Sequence, residues 1–256
     1  MNAQLSRQSF LGDHSSEFFR TVPVAIVGAS GGGSPIAQQL AHIGFGNVHV
    51  IDPAIAGEQH RHRLMGVSTA AIVEKKKKVH VVKELMDSVN PAGSVIAHPH
   101  RWQDAPELLT DRKIVFTAVD GYEARDDLER FLRSWGIPMF DIGMDVHQFE
   151  AGYQITGQVI ASIPGQLCMR CFGFITDARL KSEAGNYGAA GVRAQVSWPN
   201  AILAATAVSM AIAHLLPWHS TLRFAPYLQY DGNTMQVLPN PRLQALTGTT
   251  CPHYKT

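Results

Sequence analysis

Val24-Ala25-Ile26-Val27-Gly28-Ala29-Ser30-Gly31-Gly32-Gly33-Ser34-Pro35 is the stretch on which the fold turns. Four apolar residues in succession, two of them valine, predict a strand buried on both faces in a parallel sheet. The glycines that follow predict a tight turn. Ser34 stands where a helix N-cap is useful and Pro35 suits a first helical position. Ile36, Ala37, Leu40, Ala41 and Ile43 then recur at helical spacing, and Gly44-Phe45-Gly46-Asn47 breaks the helix. Val48-His49-Val50-Ile51, closed by Asp52, is a second strand. Together these form one βαβ unit, whose crossover is expected to be right-handed.

Working outward, residues 15–20 predict a short helix, and residues 78–89 an amphipathic helix stopped by Asn90-Pro91. Residues 94–97 and 114–119 read as strands, residues 123–135 as a helix, and residues 138–142 as a further strand. From Gly152 the pattern changes to alternating strands over residues 153–163, a cysteine pair, and a Gly/Ala-rich run at residues 184–192 without a clean period. That run reads as a mobile connection. A long apolar helix over residues 201–216 follows, then a hairpin at Asp231-Gly232, a favoured tight-turn dipeptide. No repeat or linker divides the chain. The expectation is one α/β domain over residues 1–256, a Rossmann-like, mostly parallel sheet flanked by helices with a β-rich C-terminal extension. Residues 1–20 form an N-terminal arm and residues 172–199 a flexible crossover segment.

Composition narrows the classes. The 256 residues are 45% hydrophobic, and 22 Lys+Arg against 21 Asp+Glu leave a net charge of +1. That balance argues against nucleic acid as the main partner, because phosphate binding leaves a basic surface. The apolar helix contains Thr206, Ser209 and His214 and falls short of the ~20 residues a membrane span requires. The N-terminus Met1-Asn2-Ala3-Gln4 is polar, with no signal core. Three cysteines do not make a disulfide framework, so a cytoplasmic location is expected. The four tryptophans, Trp198 and Trp218 among them, read as core or interface anchors.

The turn carries chemistry. Gly28, Gly31 and Gly33 let the backbone approach a phosphate, and the helix N-terminus offers free N–H groups. The bland alternative is a tight strand-to-helix connection without ligand. Asp52 can accept from ribose hydroxyls, or be only a strand-end carboxylate. Ser30 occupies the second glycine position of the dinucleotide fingerprint, which weakens the case for NAD. Arg61, Arg63 and the run Lys75-Lys76-Lys77-Lys78 bring cations after Asp52, which suits a triphosphate. Asp120, expected to end a strand, suits Mg²⁺, a hard cation that takes carboxylate and phosphate oxygens. Cys168-Met169-Arg170-Cys171 is half of a tetrahedral zinc site, and Cys251 with His253 can supply the rest.

In order and spacing these pieces resemble the ThiF/MoeB/HesA-type activating enzymes, which share their adenylation domain with ubiquitin-activating enzymes. The resemblance runs from Arg7-Gln8 through the turn, Asp52, Arg63, Lys78, Asn90-Pro91, Asp120 with Arg125 and Leu128, Pro164-Gly165 and the cysteine pair to Tyr230-Asp231-Gly232. It implies ATP and Mg²⁺, with Asp52 on the ribose, Asp120 on the metal, and Arg63 and Lys78 on the phosphates. It implies an adenylyltransferase acting on the C-terminal glycine carboxylate of a small ubiquitin-like or sulfur-carrier protein. It also implies a homodimer in which Arg7 reaches the neighbouring site. Some members pass the carrier on as a thioester, with a conjugating enzyme as further partner. Residues 172–199, where such members usually carry the reactive cysteine, hold none, so either this protein only adenylates or Cys168, Cys171 or Cys251 is the nucleophile. The chain departs from the family at Ser30 (usually glycine), Ala54 (usually acidic) and His60 (usually a phosphate-holding asparagine). Its lysine register is shifted, so Lys76 or Lys77 can replace Lys78. An NAD(P)-dependent oxidoreductase and a non-catalytic nucleotide-binding scaffold are the alternatives.

Overall fold

An N-terminal 3-10 helix (Ala3–Leu11) and helix α1 (Ser15–Thr21) lead into strand β1 (Pro23–Val27). Every other residue of β1 serves a different core. Val24 and Ile26 pack into one layer, Ala25 and Val27 into the other, so the strand is apolar throughout. The computed structural model describes residues 3–185 and 194–254, with side chains from Arg7 onward.

Helix α2 (Gly33–Ile43) buries Ile36, Ala37, Leu40 and Ala41 along one stripe. It stops at Gly44, whose φ of 100° is left-handed and whose N–H reaches Leu40 O and Ala41 O. That conformation costs a glycine no Cβ clash, and it satisfies carbonyls the helix end leaves open. Strand β2 (Asn47–Ile51) follows. Helix α3 (Thr69–Val73) and helix α4 (Lys78–Val89) then lead to β3 (Ser94–His98). Two 3-10 turns, Trp102–Asp104 and Pro106–Leu109, precede β4 (Ile114–Thr117), α5 (Tyr122–Ser134) and the long hairpin of β5 (Met139–Phe149) and β6 (Gly152–Ser162). Helix α6 (Asp177–Gly185), α7 (Ser197–Leu215), the hairpin β7 (Tyr227–Asp231) and β8 (Gln236–Pro239), and the short α8 (Arg242–Ala245) complete the described chain.

All eight strands join one sheet in the order β3-β2-β1-β4-β5-β6-β7-β8. The first five are mutually parallel, and β6, β7 and β8 add on antiparallel. Helices α2, α4 and α7 cover one face, and α5 with the segment around Met169 and Phe172 covers the other. The expected Rossmann-like sheet with a β-rich extension is therefore what the chain forms.

Four local expectations need correction. Ser34 is not the N-cap, since α2 already begins at Gly33 with Gly32 before it. Instead the Ser34 hydroxyl donates to Ser30 O at 2.7 Å and accepts from Met65 N at 3.0 Å, stitching the turn to the next loop. Strand β4 ends at Thr117, so Asp120 lies in the following bend and is exposed. The β7–β8 connection is a four-residue loop in which Asp231 Oδ1 accepts from Asn233 N at 2.9 Å, not a two-residue turn. Only Trp102 packs against the core, beside Phe131, while Trp135, Trp198 and Trp218 are exposed and anchor no core. The Gly/Ala-rich run at residues 184–192 falls mostly outside the described residues, and α6 occupies its start. Helix α7 begins earlier than the periodicity indicated. It buries nine residues, among them Leu203, Ala204, Ala207 and Val208, as a core helix does.

Helix α5 is bolted to the sheet by a buried ion pair. Arg125 Nε donates to both oxygens of the fully buried Asp141, at 3.0 and 3.1 Å, and Thr117 Oγ1 donates to the same carboxylate. Arg125 also donates to Gly121 O at 3.0 Å and to Ile142 O at 3.3 Å, which seats the start of α5 against β4 and β5. Removing one partner of such a pair strands a charge away from water. Arg125→Met should therefore cost about 3–5 kcal/mol of stability in urea unfolding. An unchanged unfolding midpoint would show that the pair holds nothing.

Candidate functional site

The order β3-β2-β1-β4-β5 places β2 and β4 on opposite sides of β1. The connections leave β1 and β4 in opposite directions, so a crevice opens beyond their C-terminal ends, the usual ligand position in such sheets. The glycine turn fills the floor of this crevice. Gly28 has φ of 96°, and a Cβ there would stand 2.5 Å from Ala118 O after β4. A Cβ at Gly33 would collide with Gly28 O, and at Gly31 it would come within 3.0 Å of Asn200 Nδ2 and 3.5 Å of Arg63 Cβ. The turn is thus pressed between β4, α7 and the Arg63 side chain.

Asp52, 9% exposed, ends β2 beside the turn. Its Oδ2 accepts from Ala29 N and its Oδ1 from Ala54 N, both at 2.8 Å. One carboxylate thereby fixes the turn and the start of the cationic loop, and each oxygen retains acceptor capacity. Ala54, where the family usually has an acid, contributes its backbone to that bond.

Beyond Ala54 the chain makes a 3-10 turn, Glu58–His60. Gly57 N donates to His60 Nδ1 at 3.0 Å, so the proton of the neutral ring sits on Nε2. Burial lowers His60 to about 4, and the charges of Lys78 and Arg63 push the same way against the opposing pull of Asp52. The charges of Asp52, Arg63 and Lys78 therefore all reach His60.

The lysine run divides its tasks. Lys75 is exposed, Lys76 Nζ is held by Glu84 at 2.8 Å, and Lys77 Nζ donates to Pro53 O at 2.7 Å. Lys78 is 8% exposed, and its ammonium has no hydrogen-bond or ion-pair partner among the described residues. Lys78 is the lysine brought to the site, and Lys76 is not. Arg61 likewise turns away, to Glu58 and Thr69.

Two buried polar atoms at the turn, Ser30 Oγ and Arg63 Nε, have no partner among the described residues. Buried polar groups are normally satisfied, so these orphans mark where a polar ligand fits. Asp120 faces the crevice rim, where Gln195 Nε2 donates to its Oδ1 at 3.2 Å. Arg7 is elsewhere. The arm that carries it is tied by Gln8 Nε2 to Ile43 O at 3.3 Å, at the far end of α2.

Sequence reasoning missed Asn200 and Gln195. Asn200 is buried in α7 and donates to Val196 O at 2.9 Å while abutting Gly31. An amide inside an apolar helix was the available signal.

A second cluster lies at the opposite edge of the sheet. Strand β6 is antiparallel and ends at Ser162 opposite Met139, the start of β5, so the segment after it sits below the N-terminal ends of the parallel strands. There the ligand atoms of Cys168, Cys171, Cys251 and His253 lie within 4.8 Å of one another. The Cys168 and Cys171 sulfurs are 3.5 Å apart, and each is 3.4 Å from His253 Nδ1. Tetrahedral Zn–S and Zn–N bonds imply about 3.8 Å between sulfurs and about 3.6 Å from sulfur to nitrogen. The fit is close. Burial pushes the Cys168 and Cys171 thiols up; it acts on Cys251 the same way, but there hydrogen bonds from the Tyr254 and His253 backbone, with those of the neighbouring thiols, outweigh it and leave the thiol lowered. Glu129 of α5 braces the knuckle from behind, accepting from Met169 N at 2.9 Å and from Ser162 Oγ.

Residues 1–253 match the family model described as the ThiF family. A sulfur carrier protein adenylyltransferase of Thermus thermophilus is 28% identical over 169 residues, which span 63% of this chain and 59% of that protein. The match therefore covers less than two thirds of the relative's length. Among solved structures, E. coli MccB with succinimide superposes with a TM-score of 0.75 at 17% identity, over 94% of this chain and 72% of that one. E. coli MccB with ATP gives 0.74 at 17%, over 94% and 71%. PaaA gives 0.68 at 16%, over 87% and 73%. At these identities the likeness speaks for the fold alone.

The buried neutral His60 sets a pH dependence. Its folded pKa lies below the ordinary 6.5, so between about 6.5 and 4 the unfolded chain binds the extra proton. Stability is then present above 6.5 and lost as pH falls through that window. His49, also held near 4, mainly by burial, adds to the effect. His60→Asn should flatten the fall in melting temperature between pH 6.5 and 4 without abolishing it. An identical profile would place His60 in contact with solvent.

Proposed function

The chain belongs to the ThiF family, and on that footing we propose that it is an ATP- and Mg²⁺-dependent adenylyltransferase acting on the C-terminal carboxylate of a small carrier protein. One observation carries the reading. Arg63 and Lys78, whose ammonium has no partner among the described residues, lie with Asp52 around His60, beside a glycine turn in which Ser30 Oγ is buried without a partner among those residues. This arrangement suits a triphosphate whose charge must be offset before attack.

In this reading the phosphates lie over the turn and the N-terminus of α2, and the ribose lies near Asp52. The neutral His60 offers its Nε2–H where relatives have an amide, and Ser30 adds a hydroxyl. Asp120 would hold Mg²⁺, which supplies charge neutralisation and orientation at the phosphates. A carrier carboxylate oxygen forms the new bond to the α-phosphorus as the bond to the departing pyrophosphate breaks. A carboxylate is already nucleophilic, so positioning and charge stabilisation are what the protein contributes.

The cysteines favour adenylation without a thioester on this chain. All three stand at the edge opposite the crevice, about 15 Å away across strands that rise ~3.3 Å per residue. They suit a structural zinc ion, held by Cys168, Cys171, Cys251 and His253. A sulfur carrier or a ubiquitin-like tag ending in glycine fits the site, in keeping with the name of the Thermus thermophilus relative. A symmetric dimer completes it. The arm bearing Arg7 is anchored at the far end of α2, about 16 Å from the turn. That distance supports a reading in which Arg7 serves a neighbouring copy, as the resemblance implies.

ATP–pyrophosphate exchange with candidate carriers is the test. Arg63→Ala and Lys78→Ala should each lose roughly 10²–10³ in rate, Lys76→Ala should lose little, and Asp120→Ala should be inactive. Arg7→Ala mixed with Asp120→Ala should regain part of the activity. No exchange with any glycine-terminated carrier, or full activity in Lys78→Ala, would overturn the assignment. Metal analysis should find about one zinc per chain, and Cys171→Ser should lose it together with melting temperature. A metal-free, equally stable protein would remove zinc from the account.

A further inference from the structure

The bend between β4 and α5 carries Asp120, and two residues from outside that bend grip it. Glu183, near the end of α6, accepts from Tyr122 N at 2.8 Å and from Glu123 N at 2.9 Å with the same Oε2. These are the first amides of α5, which the helix itself leaves without partners. The carboxylate also complements the positive end of the helix. Its other oxygen lies 2.7 Å from where a Cβ on Gly121 would stand, so the bend is packed tightly beneath it.

Gln195 holds the other side. Its Nε2 donates to Asp120 Oδ1, leaving Asp120 Oδ2 without a protein partner among the described residues. Gln195 is itself fixed: His62 Nε2 donates to its carbonyl at 3.0 Å, and the next residue, Val196, donates its N–H to Met144 Sδ and accepts from Asn200 Nδ2. A side-chain amide on an anchored backbone, bonded to one oxygen of a carboxylate, sets that carboxylate's rotation.

We infer that Glu183 and Gln195 are positioning residues for Asp120: together they fix the height and rotation of its carboxylate, and so the metal it presents to the phosphates. The inference rests on the adenylation reading of the crevice. It gives Glu183 of α6 and Gln195, just before α7, a part in the reaction in which neither acts as a nucleophile. Outer-shell partners of metal-ligating carboxylates typically contribute 10- to 100-fold in metal affinity or activity, and an effect of that size is expected here.

The experiment titrates Mn²⁺ into the protein with a non-hydrolysable ATP analogue, followed by electron paramagnetic resonance. In parallel, the Mg²⁺ dependence of ATP–pyrophosphate exchange is measured. Gln195→Leu and Glu183→Ala should weaken Mn²⁺ binding about 10- to 100-fold and raise the half-saturating Mg²⁺ by the same factor. Saturating Mg²⁺ should restore their rate. Glu183→Gln, whose amide oxygen can still accept from Tyr122 and Glu123, should stay near wild type. Hydrogen exchange at those two amides should quicken in Glu183→Ala alone. Wild-type Mn²⁺ affinity in Gln195→Leu, or a deficit equal at every Mg²⁺ concentration, overturns the inference while the adenylation reading stands. A wild-type protein that neither binds Mn²⁺ with the analogue nor catalyses exchange removes both.

Discussion

The carboxylate of Asp52 lies between two backbone N–H groups that belong to different parts of the crevice. Ala29 N opens the glycine turn, and Ala54 N opens the loop that carries His60 and Arg63 and leads to Lys78. A charged acceptor bonded to two amides in a nearly buried position is among the stronger local constraints available to a chain. It fixes the distance between the surface that receives phosphates and the side chains that neutralise them. Without it, the turn would still follow β1 and the cations would still follow β2, held together by the Ser34–Met65 bond and the packing of Arg63 on Gly31. The charge of Asp52 also opposes the cations' pull on His60, so the same group shapes the electrostatics of the site.

Helix α5 performs the corresponding task across the sheet. Its thirteen residues span about 20 Å, enough to run from the crevice edge to the cysteine edge. Near its start Arg125 is clamped to Asp141, and further along Glu129 braces the backbone of the cysteine knuckle. The Asp120 bend and the Cys₃His cluster are therefore built on opposite ends of one rigid element. On the proposed reading, this divides the labour. One edge handles phosphates and carboxylates, while the other closes the antiparallel extension with a zinc-type knuckle far from the reacting atoms.

The near-neutral composition conceals a strong local separation of charge. Some exposed cations are spent on neighbours at helix-like spacing, as Arg20 is with Glu17, Arg61 with Glu58 and Arg130 with Asp126. Such pairs contribute little to stability. Arg63 and Lys78 differ because the structure leaves parts of them unsatisfied: Arg63 Nε is buried without a partner, and the Lys78 ammonium meets no carboxylate among the described residues. An uncompensated buried charge is costly unless something arrives to meet it.

The βαβ unit was legible in the sequence because its signals are local: a run of β-branched residues, a glycine turn, a helical stripe and a glycine stop are all read within about ten residues of one another. The juxtaposition of Cys168 with Cys171 was legible for the same reason, since spacing alone carries it, whereas the bond from Ala29 N to Asp52 spans 23 residues and was not. What the sequence could not decide were contacts made across the sheet. Four consecutive lysines look alike in a string, and only the register of α4 sends Lys78 inward while Glu84 draws Lys76 to the surface. Asp120 resembled a strand end, yet β4 stops at Thr117 and α5 starts only at Tyr122, which leaves Asp120 in an exposed bend. Cys251 and His253 meet the first cysteine pair only because the chain returns to the N-terminal edge after β8. Asn200 and Gln195 reach the crevice only because α7 packs against α2. The sequence by itself determined the repeating elements and the residue types fit for phosphate chemistry. Tertiary structure alone decided which of those residues face one another, because burial and long-range packing, not spacing, select the partner of each charge.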